Sequence, residues 1–262
     1  MSMMENDRTA VFNFSGIYTG RDHEYGPCSY IDCSHITGTD CICDDHARAD
    51  IEKLIRERDV SPYGVHIIDN GNYHYMSAIL AAMIEEPFVL IYLDHHPDLK
   101  PSVFGDVLSC GSWVRNLHME SRHLKKVIGI GIDPGLMSEL DDEDRERISC
   151  IDERVYTSTR EDMTCGYPYL EELSLLMEDE GIRDLPVYIS VDKDVLNADE
   201  MTCNWDQGQM TLSELKITLE FIKKNRRILA IDLCGEASLS DPDFEKARKI
   251  SALINRELLN AC

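Results

Sequence analysis

The sequence has no uninterrupted apolar run approaching the roughly 18 residues that mark a membrane-spanning helix, so no membrane span is expected. Its first residues, Met1–Ala10, carry Glu5, Asp7 and Arg8 and lack the apolar centre of a secretory leader, which makes the cytoplasm the expected compartment. Basic residues are scarce: 26 Lys and Arg stand against 49 Asp and Glu, for a formal charge of −23. A surface this acidic repels phosphate backbones and argues against nucleic acid as a partner. No repeat, low-complexity tract or linker interrupts the 262 residues, and a single domain spanning 1–262 is expected. The paired C-x-x-C of zinc knuckles is also missing. Ten cysteines are present, and Cys28, Cys33, Cys41 and Cys43 cluster. Their spacing and the missing leader favour reduced thiols packed as small hydrophobes over a disulfide scaffold or a structural zinc.

Short β-branched and aliphatic runs are plentiful. Val65–Asp69, Phe88–Asp94, Lys126–Gly131, Val187–Asp192 and Ile228–Leu233 read as buried strands. Asp45–Asp59, Tyr73–Glu86, Thr211–Asn225 and Asp241–Leu259 show helical spacing, and Thr211 with Glu214 forms a capping box. Pro87 and Pro186 stand just before strands, where they stop helices without costing ladder bonds. Strands alternating with helices predict an α/β protein with three layers, α/β/α, around a mostly parallel sheet. Glu139–Arg147 reads as a solvated helix or loop. Ser15–Asp44, rich in Gly, Asp and Cys, fits an extended segment that wraps the domain or shapes its site.

In open α/β sheets, ligands bind beyond the carboxyl ends of the strands. Three predicted ends carry metal-type side chains. The run Val89–Leu93 stops in Asp94-His95-His96-Pro97-Asp98, and alternation puts Asp94, His96 and Asp98 on one side with His95 on the other. Carboxylates with an imidazole suit Mn²⁺, Fe²⁺ or Zn²⁺; the bland alternative is a polar strand end with a capping aspartate. The run Val187–Val191 ends in Asp192-Lys193-Asp194, two acids that repel unless a cation lies between them or one is protonated. Val65–Asp69 leads through Asn70-Gly71-Asn72-Tyr73 to His74. Alone, that histidine is more often a cap or a surface residue.

Gly71-Asn-Tyr-His74, Asp94-His-His96-Pro-Asp98 and Ser190-Val-Asp192-Lys-Asp194 together resemble the ureohydrolases, the family of arginase, agmatinase and formiminoglutamase. Their motifs run G-G-D-H, D-A-H-x-D and S-x-D-x-D-x-x-D-P in that order. The likeness covers about residues 65 to 240 and implies an arginase-like fold with two manganese ions. One ion would take His74, Asp94, Asp98 and Asp192; the other would take Asp94, His96, Asp192 and Asp194. A hydroxide bridging the ions would attack a guanidino or amidino carbon and cleave a C–N bond. Four carboxylates against two divalent ions and a hydroxide leave a slightly negative cluster suited to a small cationic substrate. A homo-oligomer is left open.

Looser matches join these. Ser109-Cys110-Gly111-Ser112-Trp113 resembles S-H-G-T-P and puts Cys110 where the family has a proton-shuttling histidine. A thiol can donate a proton, or it can be inert packing; His118 or His95 could substitute. Gly208-Gln-Met-Thr211 resembles G-G-L-T. Asp232-Leu-Cys-Gly-Glu236 resembles D-x-x-E with the acid one residue late, so Glu236 either contacts substrate amines or caps the following turn. Asn197-Ala198 replaces the D-P pair, and Cys203–Gln207 diverges, with Trp205 and Asp206 either a recognition wall or, for Trp205, core. Three rivals stand beside this reading. Asp94-His95-His96-Pro97 also resembles the D-H-H phosphoesterases, but Val11–Gly16 ends in no D-x-D. A deacetylase-like amidohydrolase needs fewer acids. A catalytically silent metal-binding relative would explain the lost histidine.

Overall fold

The computed structural model describes residues 9–21, 25–103, 105, 107–156 and 167–261. Met1–Arg8, on which most of the leader expectation rests, lie outside the described residues.

Eight strands form one sheet in the order β2-β1-β4-β10-β9-β5-β7-β8. They are β1 (Thr9–Asn13), β2 (Ser29–Asp32), β4 (Gly64–Ile67), β5 (Phe88–Leu93), β7 (Leu124–Ile132), β8 (Ser149–Asp152), β9 (Val187–Asp192) and β10 (Ile228–Cys234). Every pairing between them is parallel. A separate antiparallel pair joins β3 (Ile42–Cys43) to β6 (Leu108–Ser109).

The five strands expected from the sequence are the five contiguous central ones, β4, β10, β9, β5 and β7. All six residues of β5, and all six of β9, are buried, as a parallel strand covered on both faces requires. Alternation sends Leu90, Tyr92, Tyr188 and Ala230 into one apolar cluster and Val89, Ile91, Leu93, Ile189 and Val191 into the other. The first cluster packs helix Asp45–Glu57 through Ala47, Ile51 and Ile55; the second packs helix Leu212–Asn225 through Leu215, Leu219 and Ile222. The molecule is therefore three-layered, α/β/α.

Local chemistry sets the ends of these helices. Asp44 accepts from the amides of His46 and Ala47, and Thr211 and Glu214 close the expected capping box. The helix expected over Tyr73–Glu86 is shorter, Met76–Ala82. A 3₁₀ turn, Gly71–Tyr73, precedes it because the Asn70 side chain accepts from the Asn72 amide. Glu139–Arg147 contributes one short helix, Asp142–Arg145. The N-terminal segment both wraps and shapes: β1 and β2 extend the sheet edge, and Asp69 accepts from Phe14 N, Ser15 N and Ser15 Oγ at 2.8, 2.8 and 2.6 Å.

Chain order reverses at the sheet centre. β4 and β5 follow one another in sequence yet stand apart, with β10 and β9 inserted between them. The residues beyond β4, β9 and β5 consequently converge at one crevice.

Candidate metal centre

His74, Asp94, His96, Asp98, Asp192 and Asp194 line one pocket, together with Gly71, Cys110, Gly111 and Trp205. Its cavity is about 60 Å³, room for a few water-sized groups.

Two ligand groups share Asp94. His74 Nδ1 stands 3.1 Å from Asp94 Oδ2, 3.3 Å from Asp192 Oδ2 and 3.4 Å from Asp98 Oδ2. His96 Nδ1 stands 3.0 Å from Asp194 Oδ2 and 3.5 Å from Asp94 Oδ1. His74, Asp94 and Asp192 can thus offer one atom each to one ion, and Asp94, His96 and Asp194 to another. Asp192 turns its second oxygen to the Asp194 amide at 3.1 Å. His95, across the strand, faces Glu153 with Nδ1 at 3.2 Å, as alternation requires.

Each imidazole is oriented from behind. His74 Nε2 lies 2.8 Å from Ser190 Oγ, which in turn lies 2.9 Å from Ser77 Oγ. His96 Nε2 lies 3.1 Å from Asp206 Oδ1. With Nε2 protonated and donating, Nδ1 of both rings presents a lone pair to the acids, the tautomer a metal ligand needs. Trp113 Nε1 donates to Asp98 Oδ2, and its ring centre sits 4.8 Å from that of His74. Ser190, Trp113 and Asp206 were not singled out as ligand-orienting groups. Only Ser190 carried a signal, standing two residues before Asp192 on the same face of its strand.

The acids are confined. Burial first, and neighbouring carboxylates second, push Asp98, Asp192 and Asp194 up to about 7. Burial acts the same way on Asp94, but hydrogen bonds from His74 and His96 override it and hold its carboxyl well below the usual range. For both imidazoles burial disfavours the charge, yet the facing carboxylates raise them well above their ordinary value. Four buried acids converging with two imidazoles on one cavity must share protons or hold cations, and bound divalent ions would relieve their mutual repulsion. The donor set, carboxylate oxygen with imidazole nitrogen and no thiolate in either group, fits a pair of hard or borderline divalent ions.

The remaining predicted residues separate. Cys110 lines the pocket. Its hydrogen bond with Cys41 first, and burial next, push its thiol far up, so it stays protonated. Glu236 is not among the lining residues. Its Oε1 accepts from Lys193 Nζ at 2.6 Å, Tyr18 Oη at 2.9 Å and Asn255 Nδ2 at 3.1 Å. Gly235, at φ +87°, comes so close to Asp192 that a Cβ there would meet its Oδ1, and the acid one residue later is turned toward Lys193. His118 lies on helix Trp113–Glu120 against Arg147. Trp205 is a wall rather than core: it is 39% exposed, donates to Asn72 Oδ1 and meets the His96 ring edge-on. Of the clustered cysteines, Cys33 and Cys43 are buried in the core. The metal-type groups found among the described residues include no cysteine.

A parallel three-layer sheet with a paired-ligand crevice at its reversal point defines a class, and the comparisons give it a family. Residues 64–260 match the Arginase family, and the chain belongs to it. An uncharacterized protein of Thermotoga maritima is 28% identical over 252 residues, covering 96% of this chain and 88% of its own. Among solved structures, proclavaminate amidino hydrolase from Streptomyces clavuligerus superposes with a TM-score of 0.67 at 16% identity, covering 97% of this chain and 90% of that one. Formimidoylglutamase from Bacillus subtilis gives 0.63 at 16% identity, covering 97% and 86%. No helix among the described residues is long and apolar enough to cross a membrane.

Proposed function

We propose that this chain, acting as one domain, is a binuclear metallohydrolase that cleaves a C–N bond of a small linear guanidino or amidino compound. His74, Asp94, Asp98 and Asp192 would hold one divalent ion, and Asp94, His96, Asp192 and Asp194 the other. Manganese is the first candidate, since carboxylate-rich sets with imidazole suit it. Bound ions would supply Lewis acidity and a water-derived nucleophile near neutral pH. The observation that carries this reading is Asp94, whose two oxygens face two different imidazoles.

The chain's own groups account for the rest. Ser190 and Asp206 fix the two rings. The acid-lined cavity favours a cation over an anion. Cys110 faces the pocket but is held as a thiol far weaker as an acid than usual, which makes it a poor proton donor to a leaving amine as it stands. Glu236 acts at one remove, as the counter-ion of Lys193, whose neighbours in sequence are the ligands Asp192 and Asp194.

Two measurements on the purified chain test this. Elemental analysis beside Asp94→Ala and Asp192→Ala should show metal in the parent and a loss in both variants; unchanged content in both would remove the ligand assignment. Urea or ammonia release from a panel of guanidino and amidino compounds with added Mn²⁺ should follow. Phosphate release would instead mark the D-H-H phosphoesterase alternative, which the family match does not favour. Metal without turnover would mark a silent relative, the reading that the exchange of histidine for Cys110 supports.

A further inference from the structure

Cys41 and Cys110 come from distant parts of the chain and meet at the wall of the metal pocket. β3 and β6 run antiparallel with Ile42 opposite Ser109 and Cys43 opposite Leu108. Continued by one pair, that register sets Cys41 opposite Cys110. The Cys110 amide donates to the Cys41 carbonyl at 2.9 Å, which holds the two residues side by side. Directly opposed residues of an antiparallel pair have Cα atoms about 4.5–5.5 Å apart. A disulfide spans roughly 4.4–6.8 Å, a range that includes the spacing of such a pair.

Cys33, Cys43, Cys203 and Cys234 are buried, whereas Cys41 and Cys110, like Cys28 and Cys150, are half-buried; of these four, Cys41 and Cys110 are the two that a strand pair brings opposite one another. Cys41 also holds φ +59°, a left-handed conformation that bulky residues rarely adopt. Asp98, one of the pocket acids, shares that conformation at φ +50°.

We propose that Cys41 and Cys110 form a reversible disulfide in the wall of the metal pocket when the chain meets a peroxide. Cys41 Sγ, as thiolate, attacks one peroxide oxygen; the S–O bond forms, the O–O bond breaks, and the departing hydroxide takes up the proton Cys41 had released, giving a sulfenic acid and one water. Cys110 Sγ then attacks the sulfenic sulfur; the S–S bond forms, the S–O bond breaks, and the departing hydroxide takes the Cys110 proton as a second water. Two thiols are oxidised and one hydrogen peroxide is reduced to two waters. Cys41 attacks first because it lies outside the acid-lined pocket that Cys110 faces, where neighbouring carboxylates disfavour a thiolate. Once bonded to Cys41, Cys110 presents a disulfide rather than a thiol to the pocket, a consequence for hydrolysis that rests on the hydrolase reading; the bond itself does not.

The test reads the bond directly. The full chain is reduced, exposed to hydrogen peroxide, alkylated and peptide-mapped. The expected result is one peptide pair joining Cys41 to Cys110, with two fewer titratable thiols, restored by dithiothreitol. Cys41→Ser should abolish the linkage and Cys28→Ser should keep it. Sulfinic acid at either cysteine without linkage, or two unmodified thiols after peroxide, overturns the proposal, as does a cross-link to Cys110 that survives in Cys41→Ser. The map of the unsubstituted chain decides even if a variant fails to fold, and it does so whether or not the protein hydrolyses anything.

Discussion

Lys193 Nζ lies 2.6 Å from Glu236 Oε1, and both side chains are closed off from solvent. The lysine also reaches Ser251 Oγ at 2.8 Å and Asn255 Oδ1 at 3.0 Å on helix Phe244–Ala261. Its sequence neighbours, Asp192 and Asp194, line the pocket. One 3₁₀ turn, Lys193–Val195, therefore joins these pocket acids to the last helix.

Removing one partner of this pair leaves the other charge buried and unpaired. Lys193→Met should lower unfolding stability by about 3–5 kcal/mol, read from urea melts. The double variant Lys193→Met/Glu236→Met should recover much of that loss, because two apolar side chains leave no orphaned charge. A double variant as unstable as the single one would mean the lysine acts through packing alone.

The same pair predicts part of the acid limb of stability. Burial raises the Glu236 carboxyl, but Lys193, with its charge and hydrogen bond, more than offsets this and holds it below its ordinary 4.5. A carboxyl lowered by folding contributes stability above its unfolded value. That contribution is lost as pH falls below 4.5 and through the folded value. The stability gap between the parent and Glu236→Gln should thus be full at pH 7 and shrink steadily below pH 4.5. Urea midpoints across that range check it; a gap constant with pH would contradict the pairing.

Asp94 is common to both ligand groups, while His96 belongs to the second. Asp94→Ala should cost at least one ion and weaken the other, each cation losing a shared anion that offsets their mutual repulsion. His96→Ala should leave the His74 group its ion. Elemental analysis after dialysis against Mn²⁺ distinguishes the two variants. Equal metal content in them would contradict the sharing.

Asp94, His96, Asp98, Asp192 and Asp194 were legible in the sequence as candidate ligands because they stand at or just beyond the ends of apolar runs at spacings of two; His74, past the Asn70–Tyr73 turn, was reached only through the family resemblance. Burial on both faces made the central strands, such as Phe88–Leu93, near-continuous apolar runs that sequence reading finds easily. The edge strands escaped because Ser29–Asp32 and Ser149–Asp152 are short and half-exposed, with no such run. Ligand orientation escaped for a different reason. Trp113 and Asp206 reach Asp98 and His96 across turns whose course depends on tertiary packing. Glu236 was placed only by the extra Gly235, whose positive φ shifts the register after β10.

Asp206 provides the sharpest test of how that orientation works. Its Oδ1 lies 3.1 Å from His96 Nε2, and its side chain is 68% exposed. An exposed carboxylate adds little stability by charge alone, so replacing it should hardly change the melting behaviour. Its expected effect is on the ring: a carboxylate accepting from the remote N–H fixes the tautomer and raises the basicity of Nδ1. Loss of such a partner typically weakens metal binding about 10–100-fold. Asp206→Asn should produce that loss for one ion while the ion beside His74 binds as before. Titration calorimetry with Mn²⁺ resolves the two sites, and Asp206→Glu, which keeps the carboxylate on a longer stem, should recover part of the affinity. Equal weakening at both sites would mean that Asp206 contributes only to the overall negative field.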